Sequence, residues 1–132
     1  MFKVDVYIAT AGGVKAKDGR YGFVTEYITP NGFTSTRQGF EKEADTTSQK
    51  MTLKALVNAL RILNKPCEIT LHIPDPYVRG AVESGRFRRW DDNIKNADLW
   101  QQVRALTKDH VLAVASDGSN HAYKEWMKGE MK

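Results

Sequence analysis

The chain opens with FKVDVYIA, residues 2 to 9, in which Phe2, Val4, Val6 and Ile8 alternate with Lys3, Asp5, Tyr7 and Ala9. A period of two predicts a strand with one face on a core. TAGGVKAKDGR, 10 to 20, is rich in glycine and lysine and reads as a turn, with Asp18-Gly19 as its strongest signal. Two β-rich runs follow, GFVTEYITP (22 to 30) and GFTSTRQGF (32 to 40), separated by Pro30-Asn31-Gly32, close to a hairpin signature. The first three strands are therefore expected to be antiparallel. The period then changes. In QKMTLKALVNALRILNK, Leu53, Leu56, Val57, Leu60 and Leu63 recur at helical spacing, while Lys50, Lys54, Asn58 and Arg61 keep to the polar side. Thr47 or Ser48 is the expected N-cap, and Asn64-Lys65-Pro66 ends the helix because proline cannot continue it. CEITLHI, 67 to 73, predicts a fourth strand, parallel to the first through this crossover. A short helix starts at Pro76, NADLWQQVRALTKD gives another with Leu99, Val103 and Leu106 inward, VLAVAS (111 to 116) a fifth strand, and Tyr123, Trp126 and Met127 mark a terminal helix.

With 132 residues, 1–132 is expected to form one domain. No apolar run approaches the roughly eighteen residues of a membrane span. Asp5 interrupts the only region that could serve as a signal-peptide core, and the lone Cys67, which begins a strand, packs as a small apolar group; a cytosolic location is the expectation. Twenty Lys+Arg against sixteen Asp+Glu give +4, which permits an anionic partner without requiring one. The sharpest cluster is RFRRW, Arg86 to Trp90, followed at once by Asp91 and Asp92, which would offset part of its field; a solvated charged loop is the plain alternative.

Three antiparallel strands, a crossover helix, a fourth strand, further helices and a fifth strand make an order that resembles the type 1 ribonuclease H family. TTSQKMTLKALVNAL resembles the family's first-helix opening, CEITLHIPDPYVRG its fourth strand and following helix, and NADLWQQV a later helix that carries Asp-Leu-Trp. The resemblance spans nearly the whole chain and fades after about Asp117. It implies an α/β fold, with a mixed five-stranded sheet and helices on both faces. Members that cut RNA in RNA/DNA hybrids hold two magnesium ions with four acidic residues, because hard cations take oxygen ligands and a two-metal site clamps the attacking and leaving oxygens about 4 Å apart. Here those positions fall on Ala9, Thr52, Pro74 and, near the end, Gly129, none of which supplies a carboxylate.

Asp75 stands one residue beyond the expected strand-end acid, between Pro74 and Pro76. A one-residue displacement turns a side chain to the opposite face, and Asp75 followed by Pro76 is equally a favoured helix start. Asp5 shares the Ala9 face but lies too far along the strand to replace it, and Asp117 remains a candidate in the unaligned end region. His72, His110 and His121 have no metal-ligand spacing; His121 compares with the mobile histidine such enzymes carry before the last helix. Ser116-Asp117-Gly118-Ser119 reads as a turn, and Ala11-Gly12-Gly13 lacks the second half of a phosphate loop. No catalytic residue, metal ligand or cofactor is assigned; Mg²⁺ or Mn²⁺ would enter only with an active site rebuilt from Asp5, Asp75 and Asp117.

What the resemblance leaves is binding. It implies phosphate contact near Thr46, Thr47 and Ser48, whose hydroxyls could instead cap the helix, and places a shortened basic protrusion at Arg86, Arg88, Arg89, Trp90 and Lys95. Arginines with aromatics grip a backbone and stack on bases. The expected function is a catalytically inactive ribonuclease H-like module that binds RNA/DNA hybrid or duplex through Thr47 and that basic segment. A protein-interaction module on the same scaffold and a metal-dependent hybrid endoribonuclease with a rearranged site are the alternatives.

Overall fold

A computed structural model describes residues 2–90 and 93–132. Asp91 and Asp92, expected to offset the basic cluster, lie outside the described residues. Five strands, β1 (Phe2–Ala11), β2 (Lys15–Ile28), β3 (Thr34–Thr47), β4 (Cys67–His72) and β5 (Val111–Val114), form one sheet in the order β3-β2-β1-β4-β5. β1 pairs antiparallel with β2 and parallel with β4, and β5 is parallel to β4. The mixed sheet with its first three strands antiparallel is thus the expected one. Four helices accompany it: α1 (Ser48–Arg61), α2 (Pro76–Glu83), α3 (Ala97–Thr107) and α4 (Lys124–Glu130).

The Asp18-Gly19 turn is corrected. Asp18-Gly19 lies inside β2, with Asp18 opposite Ala44 and Gly19 opposite Glu43. Gly19 is there for close approach: a Cβ would stand 2.5 Å from Thr46 Cγ2 and 2.6 Å from Met51 Sδ, so both side chains would have to shift for the helix to seat on the strand. The chain turns earlier, at Gly12 and Gly13, whose φ of 115° and 83° suits only residues without a Cβ. EKEADTT, which carries no clear hydrophobic period, is the second half of β3, drawn out by pairing with residues 15 to 21. The hairpin at Pro30-Asn31-Gly32 forms as expected, with the Thr29 N–H donating to the Phe33 carbonyl at 2.8 Å.

The alternation of β1 sorts the two layers. Val4, Val6 and Ile8 face α1 and α3, joining Ile69 and Leu71 of β4 and Leu53, Leu56, Leu60, Trp100 and Val103 of the helices in one buried cluster. Each fully buried aliphatic side chain there contributes about 1.5–3 kcal/mol relative to exposure. Tyr7 points to the opposite face, where it packs with Val24 and Met127 of α4. Helices therefore cover both faces, and the second face is where strand-end chemistry would occur.

Candidate functional site

β4 ends at His72, and the next turn settles what Asp75 does. Its backbone is extended (φ −75°, ψ 121°), its Oδ1 accepts the Val78 N–H at 3.0 Å, and Pro76 occupies the first helical turn. Its Oδ2 accepts the Ser48 hydroxyl at 2.8 Å. Both carboxylate oxygens are engaged, so Asp75 is the cap of α2 and also latches that helix to the start of α1. Thr47 is the cap of α1, its hydroxyl accepting the Lys50 N–H at 3.1 Å.

The four positions that the resemblance assigns to metal-binding acids hold no oxygen-rich cluster. Ala9 is half-buried on β1, and Pro74 follows β4. Thr52 is fully buried, its hydroxyl without a hydrogen-bond partner among the described residues. Gly129 is exposed; the α4 residue that packs beside Ala9 is Met127, fully buried. The other acids are committed elsewhere. Asp5 lies four residues before Ala9, about 13 Å along the strand, and its Oδ1 is 3.0 Å from His72 Nε2. Asp117 is exposed and accepts the Ser119 hydroxyl at 3.1 Å. Glu43 is bound by the Lys54 and Lys50 ammonium groups. Among the described residues, no group of three His, Cys, Asp or Glu side chains could hold a metal ion. The residues present do not fit a pair of hard cations.

An aromatic and imidazole network fills the second face instead. Tyr7 stacks on His72, with ring centroids 4.2 Å apart and planes 16° from parallel, and meets His121 and Tyr123 at 5.0 Å each. His121 Nδ1 accepts the Tyr123 N–H at 3.2 Å, which leaves Nε2 to donate to the Ile8 carbonyl at 3.1 Å. Both nitrogens are used and the ring is held neutral; this is a fixed histidine fastening the chain before α4 to β1. Burial pushes the Tyr7 phenol up to about 12, with Asp5, Glu26 and Tyr123 adding to the effect. Burial likewise pushes His121 below its usual 6.5, against the Ile8 hydrogen bond that raises it, while His72 and Lys124 lower it further. A histidine depressed in the fold binds its proton more readily when unfolded, so its contribution is complete above about pH 6.5 and is lost as pH falls through the folded value. His121→Gln is accordingly expected to flatten the stability profile below about pH 6.5 in urea unfolding. An unchanged slope would remove His121 as its source.

The basic segment is built differently from an open loop. Gly85, at φ 75°, turns the chain out of α2 into a 3-10 turn, Arg86–Arg89, with Phe87 buried beneath it and Arg88 and Arg89 exposed. Trp90 is half-buried, edge-on to the buried Trp100 at 5.0 Å and stacked on Tyr77 at 6.0 Å and 16°. The Arg86 guanidinium lies 5.9 Å from both the Tyr77 and the Trp90 rings, within cation–π range. Lys95 is exposed beyond it. Arg86, Arg88, Arg89 and Trp90 are thus brought together, whereas Thr47 sits at the other end of α2, whose eight residues span about 12 Å. Tyr77, 49% exposed, was missed. Its signal was present in Pro-Asp-Pro-Tyr: an aromatic on the solvent side of a capped first turn has no core role to explain it.

A mixed sheet of this order, α1 carrying the chain from the edge strand β3 across to β4 beside β1, and a basic segment after α2 define a ribonuclease H-type α/β protein. The RNase H family model matches residues 3–116, and the chain belongs to that family. It is 31% identical over 120 residues to a Ribonuclease H of Janthinobacterium sp. (strain Marseille), covering 85% of this chain and 80% of that one. The fold matches the crystal structure of LC9-RNase H1, "a type 1 RNase H with the type 2 active-site motif", with a TM-score of 0.76 at 20% identity, over 98% of this chain and 70% of that one. A foamy viral protease-reverse transcriptase in complex with dsDNA aligns at a TM-score of 0.62 and 14% identity, over 95% and 85% of the two chains.

Proposed function

We propose that this RNase H-family protein binds nucleic acid, RNA/DNA hybrid or duplex, without cleaving it. The observation that carries the first half is the Tyr77–Trp90 stack with Arg86 against both rings and Arg88 and Arg89 exposed beside it. Exposed guanidinium groups contact phosphates, and the ring pair offers a flat surface to a base or sugar. Thr47, at the start of α1, would take a second phosphate further along the same strand. Support for the absence of cleavage comes from Ala9, Thr52 and Pro74 at the acid positions and from the engaged carboxylate of Asp75. Membership of a family whose relatives are named Ribonuclease H favours a nucleic-acid ligand, and the neighbour solved with dsDNA does so too.

The test is retention of a labelled RNA/DNA hybrid in EDTA at low and moderate salt, beside a cleavage assay with Mg²⁺ or Mn²⁺. The expected result is metal-independent retention that weakens steeply with salt and no product. Replacing Arg88 and Arg89 together by alanine should lower affinity and reduce the salt slope by about two, since each phosphate contact contributes roughly 0.9. Unchanged binding in that variant would sink the site assignment, metal-dependent cleavage would sink the inactive reading, and no retention at low salt would turn the search to a protein partner.

A further inference from the structure

β2 and β3 run for 14 residues each, whereas α1, also of 14 residues, is much shorter along its axis: a helix rises about 1.5 Å per residue and a strand about 3.4 Å. The helix therefore cannot cover the whole hairpin. Beyond its end, the sheet is left with a recess of about 460 Å³, within the roughly 300–1,000 Å³ of small-molecule sites. Its walls are Phe2 and Tyr27, packed edge to face at 5.2 Å, with Val4 below and Ile62 and Leu63 from the end of α1 opposite. Cys67 lines the same recess, its thiol donating to the Lys65 carbonyl at 3.1 Å. Burial pushes the thiol up, so it stays protonated and adds to the apolar surface.

Among the described residues, the charges lining the recess have one sign. Arg37 of β3 and Lys65 both line it, both are exposed, and no Asp or Glu among the described residues does so. The Lys65 ammonium stands 5.5 Å from the Phe2 ring centroid, directly over the apolar wall. Ser35 and Asn64 add a hydroxyl and an amide beside them. An apolar trough with two cations and no anion is complementary to a molecule with a hydrocarbon or aromatic body and one negative end. A nucleic-acid strand, with its charges outside and continuous, would not use the trough. The recess also lies at the start of β1, whereas Ala9 is seven residues further along that strand, about 23 Å away.

We propose that this recess is a binding site for a soluble amphipathic carboxylate, its apolar body between Phe2, Tyr27 and Leu63 and its carboxylate held by Arg37 and Lys65. The test uses the full chain labelled with ¹⁵N and titrated with decanoate, decylamine and decanol below the concentrations at which they form micelles. Decanoate should give saturable shifts confined to the amides around Phe2, Tyr27, Arg37, Lys65 and Cys67, with decylamine binding at least tenfold more weakly. Arg37→Gln combined with Lys65→Gln, both solvent-facing changes, should weaken decanoate at least tenfold and leave the salt dependence of hybrid binding unchanged. Leu63→Trp, which fills the trough, should abolish the shifts. Non-saturating shifts, equal binding of the amine, or undiminished decanoate binding in the double variant would each overturn the site. Since the readout lies on other residues than those of the basic segment, its failure would leave the nucleic-acid proposal standing.

Discussion

Replacing Trp100 by alanine is expected to cost about 3–5 kcal/mol of stability, the range for removing a buried tryptophan from a packed core. Trp100 is 1% exposed and meets Phe87 at 5.9 Å and Trp90 at 5.0 Å, so it is the floor on which the basic turn rests. The effect should extend beyond stability. With the floor removed, Trp90 loses its edge contact, and the stack with Tyr77 and Arg86 has no fixed height. Hybrid binding should therefore weaken at temperatures where the variant is still folded, although Trp100 itself is too buried to touch a ligand. Urea unfolding together with hybrid retention checks both halves. Trp100→Phe keeps a ring against Trp90, and its indole nitrogen has no hydrogen-bond partner among the described residues, so this milder change should retain most of both properties. A loss under about 1 kcal/mol for the alanine variant would show that the site collapses around the gap, contrary to the expectation for a close-packed core.

Gly118→Ala should be the most damaging single-methyl change in the chain. A Cβ there would stand 2.1 Å from the Ile73 carbonyl oxygen and 2.4 Å from its nitrogen, and both are backbone atoms that no rotamer change can move aside. The loop after β5 must lift away from the end of β4. Overpacking of this kind costs about 1–3 kcal/mol and more where backbone is displaced; roughly 3 kcal/mol is the expectation, a fall of about 10 °C or more in the melting temperature for a chain of this size. Thermal unfolding of the variant measures it. A shift of only a degree or two would mean that the loop is free to move. His121 and α4 follow that loop, so the loss should also loosen the network around Tyr7.

Most of the fold was legible because hydrophobic period reports burial directly. Val4, Val6 and Ile8 face the core as their alternation demands, and α1 starts at Thr47 and stops short of Pro66 as its capping residues demand. The errors lay where composition and tertiary pairing conflict. Asp18-Gly19 has the local chemistry of a turn, but a strand partner and an approaching helix override it. EKEADTT carries too many charges to read as a strand, yet an edge strand exposed along most of its length can carry them. The absence of acids at Ala9, Thr52 and Pro74 was visible from the sequence alone. What replaced them was not, since Tyr7, His72, His121 and Tyr123 come from β1, β4 and the chain before α4 and meet only in the fold. Tyr77 and Trp90, thirteen residues apart, stack for the same reason.

The use of α4 to cover Tyr7 has a bearing on synthesis. β1 precedes the other strands along the chain and is the middle strand of the sheet, yet its second face is covered among the described residues chiefly by residues 121 to 131, where His121 reaches the Ile8 carbonyl and the Arg20 guanidinium reaches that of Met131 at 2.9 Å. A nascent chain carrying both hairpin strands and α1 can bury Val4, Val6 and Ile8 while Tyr7 and Val24 stay bare. Such a half-faced sheet is the species that holdase chaperones would meet and that would self-associate in a crowded refolding mixture.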